Sequence, residues 1–276
     1  MDKNKRKRGT LPLCDGTALT RQAWPSVTEL SQQFTLAIVD LARLQTLLAR
    51  TTATVVDSGW LTDVEMHQFA CYNLEKRKIE WLGGRLAAKY AALQTGGITI
   101  NIATGADMGK MIAIVPNGTG KPEISWQDGH SPNCRLHVSI SHGGRRAGAL
   151  VADRPCGIDI QSITPTVERV QERFVYADDR QALNAIDRLY GIQAALTAIW
   201  SAKEAVKKAA PGPEMPGFQA IGLHGLRREA RGLQMSATVA AANGREEILM
   251  PVWFRKSGGT MLAFTMTGEE KNDENS

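Results

Sequence analysis

The sequence predicts an α+β fold in which a helical section is followed by strands, and this order occurs twice along the chain. The chain has 276 residues, 43% of them hydrophobic and 22% charged, as is typical of a folded globular protein. Apolar side chains recur every three to four residues over 74–93 and 192–210, which indicates amphipathic helices. In segments after each helix they alternate with polar side chains, which indicates strands.

The proposed division of the chain follows from this repeated order. We expect residues 26–150 to form an N-terminal α+β half and residues 151–268 to form a C-terminal α+β half. Residues 1–25 are expected to be a basic, disordered tail, and residues 269–276 an acidic tail. The two halves share no recognisable sequence repeat, so a duplicated architecture is permitted by the sequence rather than shown.

The first half begins with two predicted helices. Thr62 followed by Glu65 has the spacing of a capping box, which predicts the start of a short helix. A longer helix is predicted over 74–93 and should end at Gly96-Gly97. Its apolar stripe consists of Ile79, Leu82, Leu86, Tyr90 and Leu93.

Strands are predicted in the middle of the chain, where the apolar period changes to two. Segments 110–115 and 135–141 alternate, and in the latter Leu136, Val138 and Ile140 face opposite to the serines. The segments 146–152 and 157–163 flank an Asp-Arg-Pro-Cys sequence and are interpreted as a hairpin.

The second half contains a helix and a strand meander. The helix over 192–210 should end at the three prolines that follow it. Strands are predicted over 233–241, 248–254 and 261–266, and an Asn-Gly turn separates the first two.

Composition excludes several classes of protein. No apolar run is long enough to span a membrane, and the basic start of the chain lacks the apolar stretch of a secretory signal. The four cysteines show no CxxC spacing, which argues against a disulfide framework or a zinc site and favours the cytoplasm. The net charge of +5 includes a KNKRKR run near the start, which is either a solvated tail or a nucleic-acid-binding arm.

A basic stripe lies on the predicted long helix. Lys78, Arg85 and Lys89 are separated by seven and four residues, which places them on one side of the helix, beside its apolar stripe. Cations at the edge of a core suit a phosphate-bearing ligand, because charge-assisted bonds to phosphate are strong. A solvated helix flank remains the alternative interpretation.

A second polar cluster follows the strand over 135–141. Ser141 and His142 come at the strand end, and two glycines after them allow close approach of a ligand to the backbone. A hydroxyl and an imidazole here suit contacts to phosphate or ribose, or they are ordinary loop groups. A serine hydrolase is disfavoured, since no GxSxG sequence is present.

A third cluster combines two segments of the second half. Asp159 lies inside an apolar strand, on the face opposite Ile158 and Ile160. Glu204 and Lys208 lie one helical turn apart at one shoulder of the helix over 192–210. Two carboxylates of this kind can share Mg²⁺ with substrate phosphates. A surface ion pair is the alternative for the two helical residues.

The GTGK sequence at 118–121 is a misleading signal. Pro122 stands where a P-loop carries the hydroxyl residue that holds Mg²⁺, and Val115 replaces the leading glycine. A Walker-type NTPase is therefore rejected.

Together, these segments resemble the Sfp-type 4′-phosphopantetheinyl transferases. WSAKEAVKK resembles that family's WSxKEAxxK motif, and GIDIQ resembles its GxDxE motif. SISH, the GKP element and the KRKIEWLGGRLAAK helix are also similar to family features. The resemblance extends from about residue 76 to residue 208.

The resemblance implies a pseudo-dimer of two similar α+β halves with coenzyme A bound between them. It implies Mg²⁺-dependent transfer of 4′-phosphopantetheine from coenzyme A to a serine of an apo acyl or peptidyl carrier protein, with release of 3′,5′-ADP. The expected partners are coenzyme A and the carrier protein, without nucleic acid or membrane, and a pseudo-dimer favours a monomer. Two alternatives remain. One is a degenerate family member that binds coenzyme A or a carrier protein without transferring phosphopantetheine, and the other is a protein that binds nucleic acid through its basic N-terminal arm.

The resemblance also assigns roles to individual residues. The 3′-phosphate would be held by Lys78, Arg85 and Lys89. Lys76 or Arg77 could correspond to the family's cation in place of Lys78. Asp159 and Glu204 would bind Mg²⁺ in the C-terminal half, and Lys208 would neutralise the pyrophosphate. The remaining coenzyme A contacts would come from Lys121, Ser141 and His142.

Residue 161 departs from the family pattern. Gln161 stands where many members have a second acidic residue. An amide oxygen still offers a ligand to Mg²⁺, but the site has one negative charge fewer. We expect weaker metal binding with activity retained.

Overall fold

The computed structural model describes residues 19–22, 34–50, 59–98, 108–127, 132, 134–212, 215–229, 232–240 and 247–268. Its α-helices are α1 Leu41–Arg50, α2 Asp63–Ala70, α3 Glu75–Thr95, α4 Thr166–Arg169, α5 Arg180–Tyr190 and α6 Ile192–Ala209. Its strands are β1 Leu19–Gln22, β2 Phe34–Asp40, β3 Ile112–Pro116, β4 Pro122–Trp126, β5 His137–Gly143, β6 Arg146–Ala152, β7 Cys156–Ser162, β8 Ile221–Glu229, β9 Gly232–Ala240, β10 Glu247–Ser257 and β11 Thr260–Met266.

The strands form three antiparallel assemblies. One sheet has the order β1-β2-β6-β5, a second has the order β7-β11-β10-β9-β8, and β3 pairs with β4. Helices and antiparallel sheets are thus combined, which confirms the predicted α+β class. No helix within the described ranges is long and apolar enough to cross a membrane.

The two predicted helices of the first half are confirmed. The Thr62 hydroxyl accepts the Glu65 N–H, and the Glu65 carboxylate accepts the Thr62 N–H, so α2 begins with the predicted capping box. Helix α3 ends at Gly96, whose N–H donates to the carbonyl of Ala92 at 2.8 Å. The apolar stripe of α3 packs into the core of the first half, together with residues of β2 and β6.

The predicted hairpin over 146–163 is wrong. Strand β6 pairs with β2 and β5, whereas β7 pairs with β11 in the other sheet. The chain therefore leaves one sheet and enters the other at the Asp-Arg-Pro-Cys sequence. In the first sheet the hairpin is β5–β6 instead, with Gly143 opposite Arg146.

The two sheets share a hydrophobic core. Phe34 and Leu36 of β2 belong to the same buried cluster as Ile158 and Ile160 of β7, and Trp253 of β10 belongs to it as well. Burial of this apolar surface is the main contribution that holds the sheets together.

The strand arrangement is repeated in the two halves. Strand β2 pairs with β6, the last strand before the crossing, and β7 pairs with β11, the last strand of the described chain. Within these pairs Ala37 lies opposite Ala149, and Asp159 lies opposite Ala263. The hairpins β5–β6 and β10–β11 complete each copy. This repetition supports the pseudo-dimeric fold that the resemblance implied.

A buried ion pair is also repeated. Lys89 of α3 pairs with Glu65, and Lys203 of α6 pairs with Asp179, which lies 24 residues before its lysine, as Glu65 does. All four side chains are almost completely buried. In each half the second carboxylate oxygen accepts a backbone N–H from a strand, that of Ile114 in β3 and that of Leu223 in β8.

Several expectations concern the ends and boundaries of the chain. Residues 19–22 form β1 and pair with β2, which corrects the expectation that all of 1–25 is a disordered tail. The rest of that tail, the acidic tail 269–276 and the Asn-Gly turn lie outside the described residues. The boundary at residues 150 and 151 falls within β6, and the division into halves stays a prediction.

Candidate active site between the sheets

Asp159 lies where the two sheets meet. It projects from β7 on the face opposite Ile158 and Ile160, as the alternation predicted, because both isoleucines enter the core between the sheets. The residue is 3% exposed. Helix α6 packs so closely on β7 that a side chain at Gly157 would collide with the carbonyl of Ala205.

The two oxygens of the Asp159 carboxylate have different surroundings. Oδ1 accepts hydrogen bonds from Lys208 Nζ at 3.0 Å and from Ser141 Oγ at 3.1 Å. Lys208 Nζ also donates to the carbonyl of Ile158 at 2.8 Å, which anchors the end of α6 to β7. Oδ2 is buried and has no hydrogen-bond partner within the described protein. A buried carboxylate oxygen without a partner is costly, so it is a good acceptor for a cation or a donor from a ligand.

Glu204 lies one turn before Lys208 on α6. Its Oε1 accepts a hydrogen bond from Lys207 Nζ at 3.0 Å, and its side chain is 22% exposed. Lys207 Nζ in turn lies 4.5 Å from the centre of the Phe218 ring. In the described ranges, no hydrogen bond or ion pair joins Glu204 to Asp159 directly. The alternative interpretation, an i,i+4 ion pair between Glu204 and Lys208, is not supported, because Glu204 pairs with Lys207 and Lys208 pairs with Asp159.

The protein oxygens at this site are too few to surround a hard cation, so oxygens of a ligand or of water would complete its coordination. Gln161 is half-buried, two residues after Asp159, and therefore projects from the same face of β7. Among the described residues, no three of His, Cys, Asp and Glu form a metal site by themselves. The free oxygen of Asp159, the carboxylate of Glu204 and the amide of Gln161 are the available oxygens. Mg²⁺ commonly takes one or two protein carboxylates and completes its shell with phosphates and water.

Ser139 and Ser141 join β5 to β7 through their side chains. The Ser139 hydroxyl accepts the N–H of Ile158 at 3.1 Å, and the Ser141 hydroxyl accepts the N–H of Ile160 at 3.0 Å. Both are buried. No sequence motif indicated a role for Ser139, although the Ser-x-Ser alternation places both hydroxyls on one strand face.

His142 follows at the end of β5. Its side chain is 41% exposed, and Nδ1 lies 3.8 Å from Oε1 of Glu80 on α3. The exposed ring is available to a ligand, and the coenzyme A contact of His142 stays a prediction. Glu80 was not singled out, because nothing in the helical pattern shows that its turn faces the end of β5.

The three cations of the basic stripe on α3 have different surroundings. Lys78 Nζ lies 5.8 Å from the centre of the Phe69 ring, and the Arg85 guanidinium lies 4.8 Å from that of Trp81. Burial lowers the pKa of Arg85, with Glu65 opposing the shift. Phe69 belongs to α2, whereas Trp81 lies on α3 itself, one turn before Arg85, and its ring contacts that of Phe69. Neither of these two contacts involves Asp159.

Lys89 requires a correction. Its ammonium group is fully buried and donates to the carbonyls of Trp60 and Gly109, besides pairing with Glu65. An ammonium group has three hydrogens, and these three partners account for all of them. The prediction that Lys89 binds a phosphate is therefore wrong, because the side chain is part of the core of the first half.

Lys121 lies on a groove that also reaches Lys208. The groove has a volume of about 700 Å³ and is bordered by the β3–β4 hairpin, the start of β5 and the end of α6. Its lining includes Lys121, Trp126, Arg135, His137 and Lys208. Volumes of 300–1,000 Å³ are usual for small-molecule sites. The groove brings a predicted coenzyme A residue and a predicted catalytic residue to one surface.

Comparison with known proteins gives a matching family model and several relatives. A family model described as the 4′-phosphopantetheinyl transferase superfamily matches residues 155–244. Enterobactin synthase component D of Salmonella typhimurium strain LT2 is 30% identical over 189 residues, which cover 67% of this chain and 70% of that protein. A holo-[acyl-carrier-protein] synthase of Staphylococcus saprophyticus is 33% identical over 110 residues, covering 38% of this chain and 82% of that protein.

One solved structure also shows similarity. It is an ACPS–CoA complex of Chronobacterium ammoniagenes, with 19% sequence identity, and the match covers 43% of this chain and 93% of that one. The TM-score is 0.36. A score this low does not establish a shared fold.

Proposed function

Because the chain belongs to the 4′-phosphopantetheinyl transferase superfamily, we propose that it transfers 4′-phosphopantetheine from coenzyme A to a serine of an apo carrier protein. The second product would be 3′,5′-ADP. The observation that carries this proposal is the cluster of Asp159, Ser141 and Lys208, which leaves one buried carboxylate oxygen open. Asp159 and Lys208 both lie within the segment that the family model matches.

Asp159, Glu204 and Gln161 are the residues that would hold Mg²⁺. Bound there, the ion would stabilise negative charge on the pyrophosphate oxygens. Lys208 is already fixed beside Asp159 by two hydrogen bonds and is one-quarter exposed, so it is ready to add a positive charge to a phosphate nearby. Preorganised charges of this kind stabilise a transition state without having to rearrange.

Glu204 is the candidate base for the carrier serine. Its carboxylate is partly exposed and held by Lys207 rather than buried in the core, so a substrate hydroxyl has access to it. A positioned carboxylate that accepts the hydroxyl proton as the oxygen attacks the β-phosphate would act as a general base. The oxygen of the departing 3′,5′-ADP would carry negative charge, which the ammonium group of Lys208 would neutralise.

The groove beside Lys208 supports a place for coenzyme A. Lys121 lies on its wall and His142 lies near the other end of β5, so both remain candidates for contacts with the phosphates. Lys78 and Arg85 remain candidates for the 3′-phosphate, since both residues are half-buried and Nε of Arg85 has no hydrogen-bond partner within the described protein. Lys89 is removed from this set.

The proposed setting follows from the same features. Cys71, Cys134 and Cys156 are free thiols, which supports the reducing cytoplasm. The two halves of one chain already supply both sides of the groove, so we propose a monomer. The excess of basic residues suits an acidic carrier protein.

A binding-only role is the second candidate, and Gln161 is the observation in its favour. Loss of one acidic ligand weakens the attraction for Mg²⁺. In this role the chain would bind coenzyme A or a carrier protein without transferring the arm. The experiment that follows separates the two candidates.

The proposed function is tested by incubating the protein with coenzyme A, Mg²⁺ and a panel of apo acyl and peptidyl carrier proteins, followed by mass spectrometry of the carriers. We expect at least one carrier to gain one phosphopantetheine group on its serine, and EDTA to prevent the gain. A matched control replaces the carrier serine with alanine. Binding of coenzyme A without modification of any carrier would instead support the binding-only role.

A further inference from the structure

The edge of β7 that faces β5 is satisfied by side chains instead of a backbone ladder. Strand β7 pairs with β11 on its other edge, and the N–H groups of Ile158 and Ile160 are accepted by two serine hydroxyls of β5. Ser139 and Ser141 thus make equivalent bonds two residues apart. Both bonds hold the two sheets in register at the place where Asp159 projects.

Only Ser141 makes a further bond to Asp159. Its hydroxyl donates to Oδ1 at 3.1 Å while it accepts the N–H of Ile160. A serine hydroxyl has one hydrogen, so this bond uses the only hydrogen that Ser141 could offer to a phosphate. Ser141 is also only 8% exposed, which restricts the approach of a ligand.

The bond determines which carboxylate oxygen is left open. Ser141 and Lys208 both donate to Oδ1, and together they set the rotation of the carboxylate about its bond to the chain. Oδ2 is left buried and without a partner in the described protein. A single donor to Oδ1 would leave the group freer to turn than these two donors do, because carboxylate torsions are broad.

We propose that Ser141 is a positioning residue: it orients Asp159 so that Oδ2 faces the reacting phosphate group and its cation, and it is not a direct ligand of coenzyme A. This rests on the proposed function for its catalytic consequence. The hydrogen bond itself is independent of that function. It replaces the expectation that Ser141 contacts the phosphates.

The kinetic test compares Ser141→Ala with Ser139→Ala, which removes the equivalent bond to β7 but leaves Asp159 untouched. We expect Ser141→Ala to lower kcat about tenfold or more, the loss typical of a hydrogen bond to a charged group, with KM for coenzyme A changed less than about twofold. Ser139→Ala should stay within about twofold of the wild type, and Ser141→Thr, which keeps the hydroxyl, should recover most of kcat.

Two kinetic outcomes would overturn the proposal. A raised KM for coenzyme A with unchanged kcat in Ser141→Ala would identify Ser141 as a direct ligand. Equal losses of kcat in the two alanine variants would reduce its role to joining β5 with β7.

A second measurement does not depend on activity. Urea unfolding of Ser141→Ala, Asp159→Asn and the double variant forms a cycle, and Ser139→Ala with Asp159→Asn forms its control. We expect the midpoint shifts to be non-additive in the first cycle and additive in the second. Additive shifts in both cycles would disprove the orienting bond, even if the wild type modifies carriers. Non-additive shifts in a protein that modifies none would retain the bond and reject the proposed function.

Discussion

In the N-terminal half, Lys89 of α3 is bonded to Glu65 and to two carbonyl oxygens; in the C-terminal half, Lys203 of α6 is bonded to Asp179 and to the carbonyl of Phe218. Each carboxylate also caps the chain three residues before it, since Glu65 accepts the Thr62 N–H and Asp179 the Tyr176 N–H. The two halves therefore use one internal framework to hold a long helix to its neighbours.

The halves differ immediately beyond this framework. One and five residues after the buried lysine, α3 carries Tyr90 and Gln94, whereas α6 carries Glu204 and Lys208. Opposite α6, Asp159 occupies the strand position that Ala37 occupies in β2. The charged groups of the candidate active site therefore occur in one copy of the repeated scaffold, and the positions compared in the other copy carry uncharged residues. A lysine on such a helix is therefore structural or functional according to its position relative to the ion pair.

The largest expected effect concerns the shared framework. Lys89→Met and Lys203→Met should each lower the free energy of unfolding by about 3–5 kcal/mol, because each leaves a buried carboxylate without its partner. Urea unfolding measures this, with Lys207→Met as a control whose partly exposed pair should contribute about 1 kcal/mol or less. A stable Lys89→Met protein that has lost coenzyme A binding would show that Lys89 is a ligand and that the two buried ion pairs have different roles.

The next effect concerns the difference between the halves. Glu204→Gln should reduce the rate of carrier modification about a hundredfold or more without unfolding the protein, since removal of a general base has effects of this size. Tyr90→Phe, at the equivalent place on α3, should change the rate by less than about twofold. Initial rates by mass spectrometry and a thermal unfolding control measure both. Full activity in Glu204→Gln would remove Glu204 from the proposed mechanism.

The smallest effect sharpens the assignment of α3. Arg85→Ala should raise KM about tenfold for coenzyme A and little for dephospho-coenzyme A, if its guanidinium binds the 3′-phosphate through a charge-assisted bond. Loss of its stacking on Trp81 should also cost up to about 1 kcal/mol of stability. Steady-state kinetics with the two substrates provide the measurement. Equal increases in KM for both would argue that Arg85 only packs between α2 and α3.

Local patterns predicted the elements that depend on local contacts. The capping box at Thr62 and the apolar stripe of α3 were predicted and confirmed, because each is set by residues three or four apart. The alternation around Asp159 correctly predicted its face, since successive side chains of a strand point to opposite sides. The pairing of β6 with β7 was wrong, because the partner of β7 is β11, about a hundred residues later in the chain.

Residue types and their faces on helices and strands could be read from the order of amino acids, because backbone periodicity is a local property. Three lysines illustrate what this order leaves open. Lys89, Lys203 and Lys208 carry the same charge on similar helices, yet two are enclosed by carboxylates and carbonyls in a core and one lies beside Asp159 at a groove. That distinction arises from groups that the folded chain brings together across the sheets, since desolvation and the distance between charges are properties of the assembled protein.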